Sequence, residues 1–322
     1  MDNALVLFET NSVFREELVH ILNGYRIIFN EKENTDNIDS ETARNTAIIF
    51  GNPEFGFLKT CPSLKWLQLQ SAGTDNYTRE LNESVLLSCA TGTYGHAVSE
   101  HMLGLTFELL KKLHLYRDEQ SAGRWQDRGN VKSIQGAVVL VIGLGDIGGE
   151  YARRMKALGS YIIGVRRVSH TKPVYVDELL LPQQIDKALP RADIVAVIVP
   201  ETKDTIGLID RFKLARMKHD AVIINAGRGS AIDTEALCDA LESNALGGAG
   251  IDVTDPEPLP RGHRLWKLEN AVITPHTAGG RYMNETDQYM MQLNLENAGR
   301  FVRGEILKSL VDYKTGYRQL NE

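Results

Sequence analysis

Cysteine is scarce in this chain of 322 residues: Cys61, Cys89 and Cys238 are the only three. The count is odd and no CxxC pair occurs, which argues against a disulfide framework and a cysteine-rich metal site and fits a reducing compartment. No metal centre is expected. Long apolar runs are also missing, and nowhere do about 18 apolar residues stand together as a membrane-spanning helix requires. The opening stretch, MDNALVLFETNSVFREELVH, has an acid at position 2 and no basic start followed by a long apolar run, unlike a targeting segment. A soluble, cytoplasmic protein with no membrane association is therefore expected. Nor is there a long basic run. With 36 Lys+Arg against 42 Asp+Glu the formal net charge is -6, a balance that disfavours nucleic acid as a partner and suits action on small molecules. Internal repeats and heptads, the marks of a scaffold, do not occur.

What is present points to a layered α/β protein. Hydrophobic residues make up 43%, and the length suits about two domains. Short apolar runs, ALVLF at 4–8, TAIIF at 46–50, LKWLQL at 64–69 and SVLLSCA at 84–90, alternate with helix-length intervals and read as buried parallel strands. From Ala97 to Leu115 apolar residues recur at helical spacing, which predicts one long connecting helix. A second series follows: AVVLVI at 137–142, SYIIGV at 160–165, IVAVIV at 194–199 and AVIINA at 221–226, with GAGID at 248–252 and NAVITP at 270–275 as further strands. Helix-length spacers between them predict a mostly parallel sheet covered on both faces. A last helix is expected from about Glu285 to Val302.

Gly143, Gly145 and Gly148 form GxGxxG between the run AVVLVI and a helix-compatible stretch. In that setting the first two glycines allow a tight turn and close approach to a pyrophosphate, and the third allows close packing of helix on strand. Free amides at the helix start meet the phosphate charge. A dinucleotide site is the reading, with a plain turn as the bland alternative. An acid that holds the ribose 2′-hydroxyl is expected roughly 20 residues on, but SYIIGV ends instead in Arg166 and Arg167. A carboxylate would repel a 2′-phosphate, whereas guanidinium groups bind it. The pair argues for NADP(H) over NAD(H), unless both are merely solvated. Ser169, His170 and Lys172 could assist.

Polar groups also collect at the ends of the later strands: Arg228 in NAGRGSAID, Asp252 and Glu257 in GAGIDVTDPEPLP, and His276 in VITPHTAGG. An imidazole exchanges protons near neutrality, a carboxylate keeps it charged, and an arginine holds an anion. Residue types alone do not single out a trio.

Taken together, LQSAGTDNY at 69–77, GTYGHAVSEHMLGL at 92–105, VIGLGDIGG at 141–149, VPETKDTIGLI at 199–209, INAGRGSAID at 224–233, AGIDVTDPEPLP at 249–260 and ITPHTAGG at 273–280 resemble the D-isomer-specific 2-hydroxyacid dehydrogenase family across nearly the whole chain. The similarity includes its NADPH-favouring glyoxylate/hydroxypyruvate reductases. The resemblance implies two doubly wound parallel-sheet α/β domains. A Rossmann nucleotide-binding domain, 102–289, is inserted into a flavodoxin-like substrate/catalytic domain, 1–101 plus 290–322. It implies a homodimer and an oxidoreductase moving a hydride between NAD(P)H, NADPH preferred, and a small 2-oxo acid to give the D-2-hydroxy acid.

Residue by residue, the resemblance makes Arg228 the substrate-binding arginine, Glu257 the acid and His276 the proton-transfer group. It assigns the substrate carboxylate to backbone amides at Ala72 and Gly73, and the nicotinamide carboxamide to Asp252. It extends cofactor contact over Asp146, Ile147, Pro200, Thr205, Asn225, Ala226 and His276. Thr277 departs from the pattern, standing where a small apolar residue is commoner. The alternatives are a nucleotide-sensing, corepressor-like protein without turnover, and an NAD-linked phosphite- or formate-type dehydrogenase.

Overall fold

The runs read as strands return as parallel β-strands in a computed structural model that describes residues 1–30, 34–74, 77–167, 171–280 and 283–319. The chain divides into two compact units, Met1–Tyr94 with Arg281–Glu322, and Gly95–Gly280.

In the first unit, β1 (Asn3–Val6), β2 (Arg26–Phe29), β3 (Thr46–Phe50), β4 (Trp66–Gln68) and β5 (Leu86–Ser88) form a parallel sheet of order β2-β1-β3-β4-β5. That is the flavodoxin-like doubly wound order. Because side chains alternate along a strand, one sheet feeds two cores. Ala4, Val6, Ile48, Phe50 and Trp66 pack with Phe14 and Leu18 of helix Ser12–Ile21 and with Ala298 of helix Asn284–Val302. Leu5, Leu7, Ile49, Leu67 and Leu87 pack on the opposite face. The terminal helix is fastened by a buried polar ladder. Asn297 Nδ2 and Ser88 Oγ each donate to Gln68 Oε1 at 2.7 Å, and Trp66 Nε1 donates to Ser88 Oγ at 2.8 Å. Each buried polar atom of the ladder thus has a partner, as burial demands.

The second unit holds β6 (Val138–Ile142), β7 (Tyr161–Val165), β8 (Glu178–Leu180), β9 (Ile194–Val197), β10 (Val222–Asn225), β11 (Gly248–Ile251) and β12 (Ala271–Ile273). They form a parallel sheet of order β12-β11-β10-β9-β6-β7-β8. This is the Rossmann order with one strand added, and its direction reverses between β6 and β9, where such sheets bind ligands beyond the strands' carboxyl ends. A short antiparallel hairpin, β13 (Val311–Asp312) with β14 (Tyr317–Arg318), follows the terminal helix in the first unit.

One expectation is corrected. The continuous helix from Ala97 to Leu115 is two helices, Gly95–Lys111 and Leu113–Ser121, broken at Lys112 with φ 56. A left-handed residue ends the hydrogen-bond ladder, and the Lys112 ammonium turns to the Arg128 carbonyl at 2.6 Å. Among the described residues no helix is long and apolar enough to cross a membrane.

Candidate active site

The turn after β6 is built so that only glycine fits. Gly143 has φ 104, and a Cβ there would overlap the carbonyl of Ile198 just past β9; a Cβ on Gly148 would overlap the Gly143 carbonyl. Gly145 caps helix Asp146–Ala157 in an extended conformation. The backbone at the sheet's reversal point is therefore bare, and it leads into the amides of a helix start. This cradle fits a dinucleotide pyrophosphate. The Asp146 carboxylate lies against Gly95, since a Cβ on that glycine would stand 2.5 Å from Oδ1. Asp146 and Ile147 are the first two residues of that helix.

At the end of β7, Arg166 is half-buried, its amide donating to Leu180 O at 3.2 Å, and Arg167 is exposed. Tyr175 lies within the electrostatic reach of Arg166. Burial and the charge of Glu150 push its phenol above the usual range, against the opposing influence of Arg166 and Arg153. Lys172, an exposed residue, donates to Val176 O at 2.9 Å and Asp177 O at 3.1 Å. Ser169 and His170 lie outside the described residues.

Past β9 and β10 two loops are closed by their own side chains. Thr205 Oγ1 donates to Pro200 O at 2.6 Å and accepts from Thr202 N–H at 2.8 Å. Buried Asn225 accepts from Gly227 N–H at 3.1 Å and donates to Arg228 O at 3.0 Å, bracketing the turn that contains Ala226. Glycine again sets the fit: a Cβ on Gly227 would meet Val199 N at 2.8 Å, and one on Gly229 would overlap the Thr254 carbonyl. Arg228 is thereby held between the end of β9 and the loop after β11, half-buried, with Nη1 donating to Gly227 O at 2.8 Å.

The loop after β11 carries Glu257 and the loop after β12 carries His276. Glu257 Oε1 lies 2.6 Å from His276 Nδ1, and both side chains are nearly half exposed. A carboxylate only accepts, so Nδ1 carries the proton in this bond and Nε2 is the nitrogen left for exchange. As an exposed ion pair it contributes about 0.2–1 kcal/mol, so stability does not explain its geometry. His276 itself has φ 53, a left-handed conformation that costs roughly 1–2 kcal/mol. Strain of this kind collects at functional sites, and here the surrounding loop holds it. His276 N–H donates to Asp252 O at 2.8 Å, while the buried Asp252 carboxylate accepts from Thr274 Oγ1 at 2.6 Å, Thr277 N–H at 3.0 Å and Ala278 N–H at 3.2 Å. Thr277 thus joins this loop through its backbone.

Arg228, Glu257 and His276 accordingly sit on three successive loops of the Gly95–Gly280 unit. Ala72 and Gly73 belong to the other unit, in the turn after β4, where Ser71 Oγ donates to Gly73 O at 2.7 Å. Two features escaped sequence reasoning. Ser230 Oγ donates to Glu201 Oε2 at 2.7 Å, tying the β9 and β10 loops together. His101 Nε2 reaches Thr274 Oγ1 at 2.9 Å.

Comparison with known proteins shows the family. Residues 103–278 match the family model of the D-isomer specific 2-hydroxyacid dehydrogenase, NAD binding domain. A glyoxylate reductase of Korarchaeum cryptofilum is 37% identical over 182 residues, 56% of this chain and 53% of that protein. The crystal structure of a D-isomer specific 2-hydroxyacid dehydrogenase family protein from Aeromonas salmonicida superposes with a TM-score of 0.84 at 28% identity, covering 97% of this chain and 99% of that one. A D-isomer specific 2-hydroxyacid dehydrogenase from Xanthobacter autotrophicus, in complex with NADPH and MES, gives 0.82 at 25% identity, covering 98% and 100%. The chain belongs to the D-isomer-specific 2-hydroxyacid dehydrogenase family and is an NAD(P)-dependent oxidoreductase that reduces 2-oxo acids.

Proposed function

We propose that this enzyme reduces a small 2-oxo acid of the glyoxylate or hydroxypyruvate type to the D-2-hydroxy acid, with NADPH preferred over NADH. The observation that carries the reading is the 2.6 Å bond between His276 Nδ1 and Glu257 Oε1, which gives an imidazole its counter-charge and leaves Nε2 for exchange. When bound, the nicotinamide supplies a hydride to the carbonyl carbon. His276 gives its Nε2 proton to the oxygen on which charge develops, and Glu257 stabilises the imidazolium before that transfer. In the oxidative direction the same nitrogen accepts the proton. Arg228 holds the substrate carboxylate and carbonyl oxygen with its fork of donors, which aligns the reacting carbon and steadies the charge. Ala72 and Gly73 supply backbone amides to the carboxylate. Asp252, with Asn225 and Thr205, keeps the loops around the cofactor in shape, and Pro200 and Ala226 line it.

The cofactor preference rests on Arg166 at the end of β7, where an acid would stand in an NAD site, and it is supported by the Xanthobacter relative solved with NADPH. The substrate class rests on the relative named as a glyoxylate reductase. The reading extends to a homodimer in the cytoplasm. Initial rates for glyoxylate, hydroxypyruvate and a bulky branched 2-oxo acid, each with NADPH and NADH, test it. Highest kcat/KM with a small oxo acid and NADPH is expected. Preference for the branched acid or for NADH would overturn the corresponding half.

A further inference from the structure

Helix Gly95–Lys111 lies directly on β11, because that strand offers glycine where the helix arrives. A Cβ on Gly250 would stand 3.0 Å from Leu105 Cβ, and one on Gly248 would stand 3.0 Å from Leu109 Cδ2. Leu109 thus meets Gly248 and Leu105 meets Gly250, so helix and strand run in opposite directions. Four helical residues advance about 6 Å and two strand residues about 6.6 Å. The next step along the same face pairs His101 with Asp252, just beyond the end of β11.

The contacts there form a directed chain. His101 Nε2 is 2.9 Å from Thr274 Oγ1 and 3.6 Å from Asp252 Oδ1. The Thr274 hydroxyl has one proton and donates it to Asp252 Oδ1 at 2.6 Å, so its bond with His101 must be one it accepts, which makes Nε2 the protonated nitrogen. The Asp252 carboxylate, 3% exposed as a residue, also gathers the amides of Thr277 and Ala278, and its carbonyl receives the amide of His276. Residues 274–278 are therefore wrapped around one buried carboxylate, with the left-handed His276 in their midst.

We infer that His101 is a positioning residue for His276: it orients the Thr274 hydroxyl toward Asp252 and thereby sets the loop that aims the proton-transferring imidazole. This rests on the reading of His276 as the proton-transfer group. A rigid helix makes a suitable anchor, since small misplacement of a reacting group costs heavily in rate.

The test compares His101→Leu, His101→Gln, Thr274→Val and the double variant His101→Leu/Thr274→Val with wild type and His276→Ala. Readouts are kcat, KM for the 2-oxo acid, NADPH dissociation constants from protein fluorescence, and Tm. His101→Leu is expected to lower kcat roughly tenfold, with KM and the NADPH dissociation constant within about twofold of wild type. His101→Gln, which can return an N–H donor, should recover most of that loss. Thr274→Val should match His101→Leu, and the double variant should add little, because both act through one chain. Wild-type kcat in a folded His101→Leu or Thr274→Val overturns the inference. So do losses that simply add, or a loss that Gln does not relieve. If His276→Ala keeps wild-type turnover, the underlying reading fails; if only His276→Ala loses turnover, the reading stands and His101 has no positioning role.

Discussion

Glu257 Oε1 and His276 Nδ1 are 2.6 Å apart although 19 residues separate them in the chain, and the backbone of His276 is held left-handed where that bond forms. A surface ion pair alone would not justify a conformation that costs more than the pair returns. The relationship makes sense as the arrangement of a proton donor and its counter-charge. Replacing Glu257 with Gln keeps the shape and removes the charge. Reduction needs a proton on Nε2, and without the carboxylate the ring that gives it loses its counter-charge, so kcat should fall while NADPH affinity is retained. Turnover and NADPH binding of the variant beside wild type check this, and an unchanged kcat would separate Glu257 from proton transfer.

Arg228 is gripped between two glycines whose backbones lie against Ile198 and Val199, just past β9, on one side and the Thr254 carbonyl on the other. Its charge alone is not what such precise placement serves. Arg228→Lys should raise KM for the 2-oxo acid and lower kcat together, while NADPH binding stays close to wild type, because one ammonium cannot replace a planar fork. Loss of NADPH affinity with catalysis normal at saturation would move Arg228 into the nucleotide site.

Gly229→Ala offers a purely steric test of the same arrangement. The added Cβ would overlap the Thr254 carbonyl, in the loop that carries Glu257, and backbone on backbone has little room to yield. Overpacking of this kind costs about 1–3 kcal/mol. The variant should show a lower Tm and, where still folded, a loss of turnover exceeding its loss of cofactor affinity. Unchanged Tm and turnover would show that the loops do not constrain each other.

Much of the fold was legible because buried strands must be apolar. TAIIF at 46–50 became β3 with the same bounds, and AVVLVI and SYIIGV became β6 and β7 with one end residue trimmed. In the two parallel sheets the strands that went unread, β2 and β8, are edge strands that pair on one side only and are partly exposed, so their residues carry a weaker apolar signal, and the two-residue strands β13 and β14 are too short to show a pattern. The break at Lys112 has no glycine or proline to announce it, and the contact that accompanies it, with the Arg128 carbonyl, is 16 residues away in the chain. In the site, the glycine turn after β6 could be read locally because a tight strand-to-helix turn needs a fixed spacing. The pairing of Glu257 with His276 came from resemblance, since no spacing rule joins loops after different strands. His101 comes to Asp252 because a helix and a strand advance at nearly equal steps, and Thr274 meets both from the end of the neighbouring β12.

The proposed preference for NADPH rests on Arg166. A partly exposed guanidinium contact to a 2′-phosphate contributes about 1–2 kcal/mol, or roughly five- to thirtyfold in affinity. Arg166→Asp should remove that preference and move it toward NADH, with substrate selectivity little changed. Dissociation constants for both cofactors in wild type and variant, repeated at higher salt to expose the screened part, check the assignment. Equal wild-type affinities would make the arginines a solvated strand end.

The most direct test of the whole account is the turnover of wild type and His276→Ala on the preferred 2-oxo acid at saturating NADPH, with NADPH binding measured alongside. Loss of a general acid predicts a drop of roughly 100-fold or more in kcat, with cofactor affinity retained. A variant that binds NADPH and turns over near the wild-type rate would contradict the account.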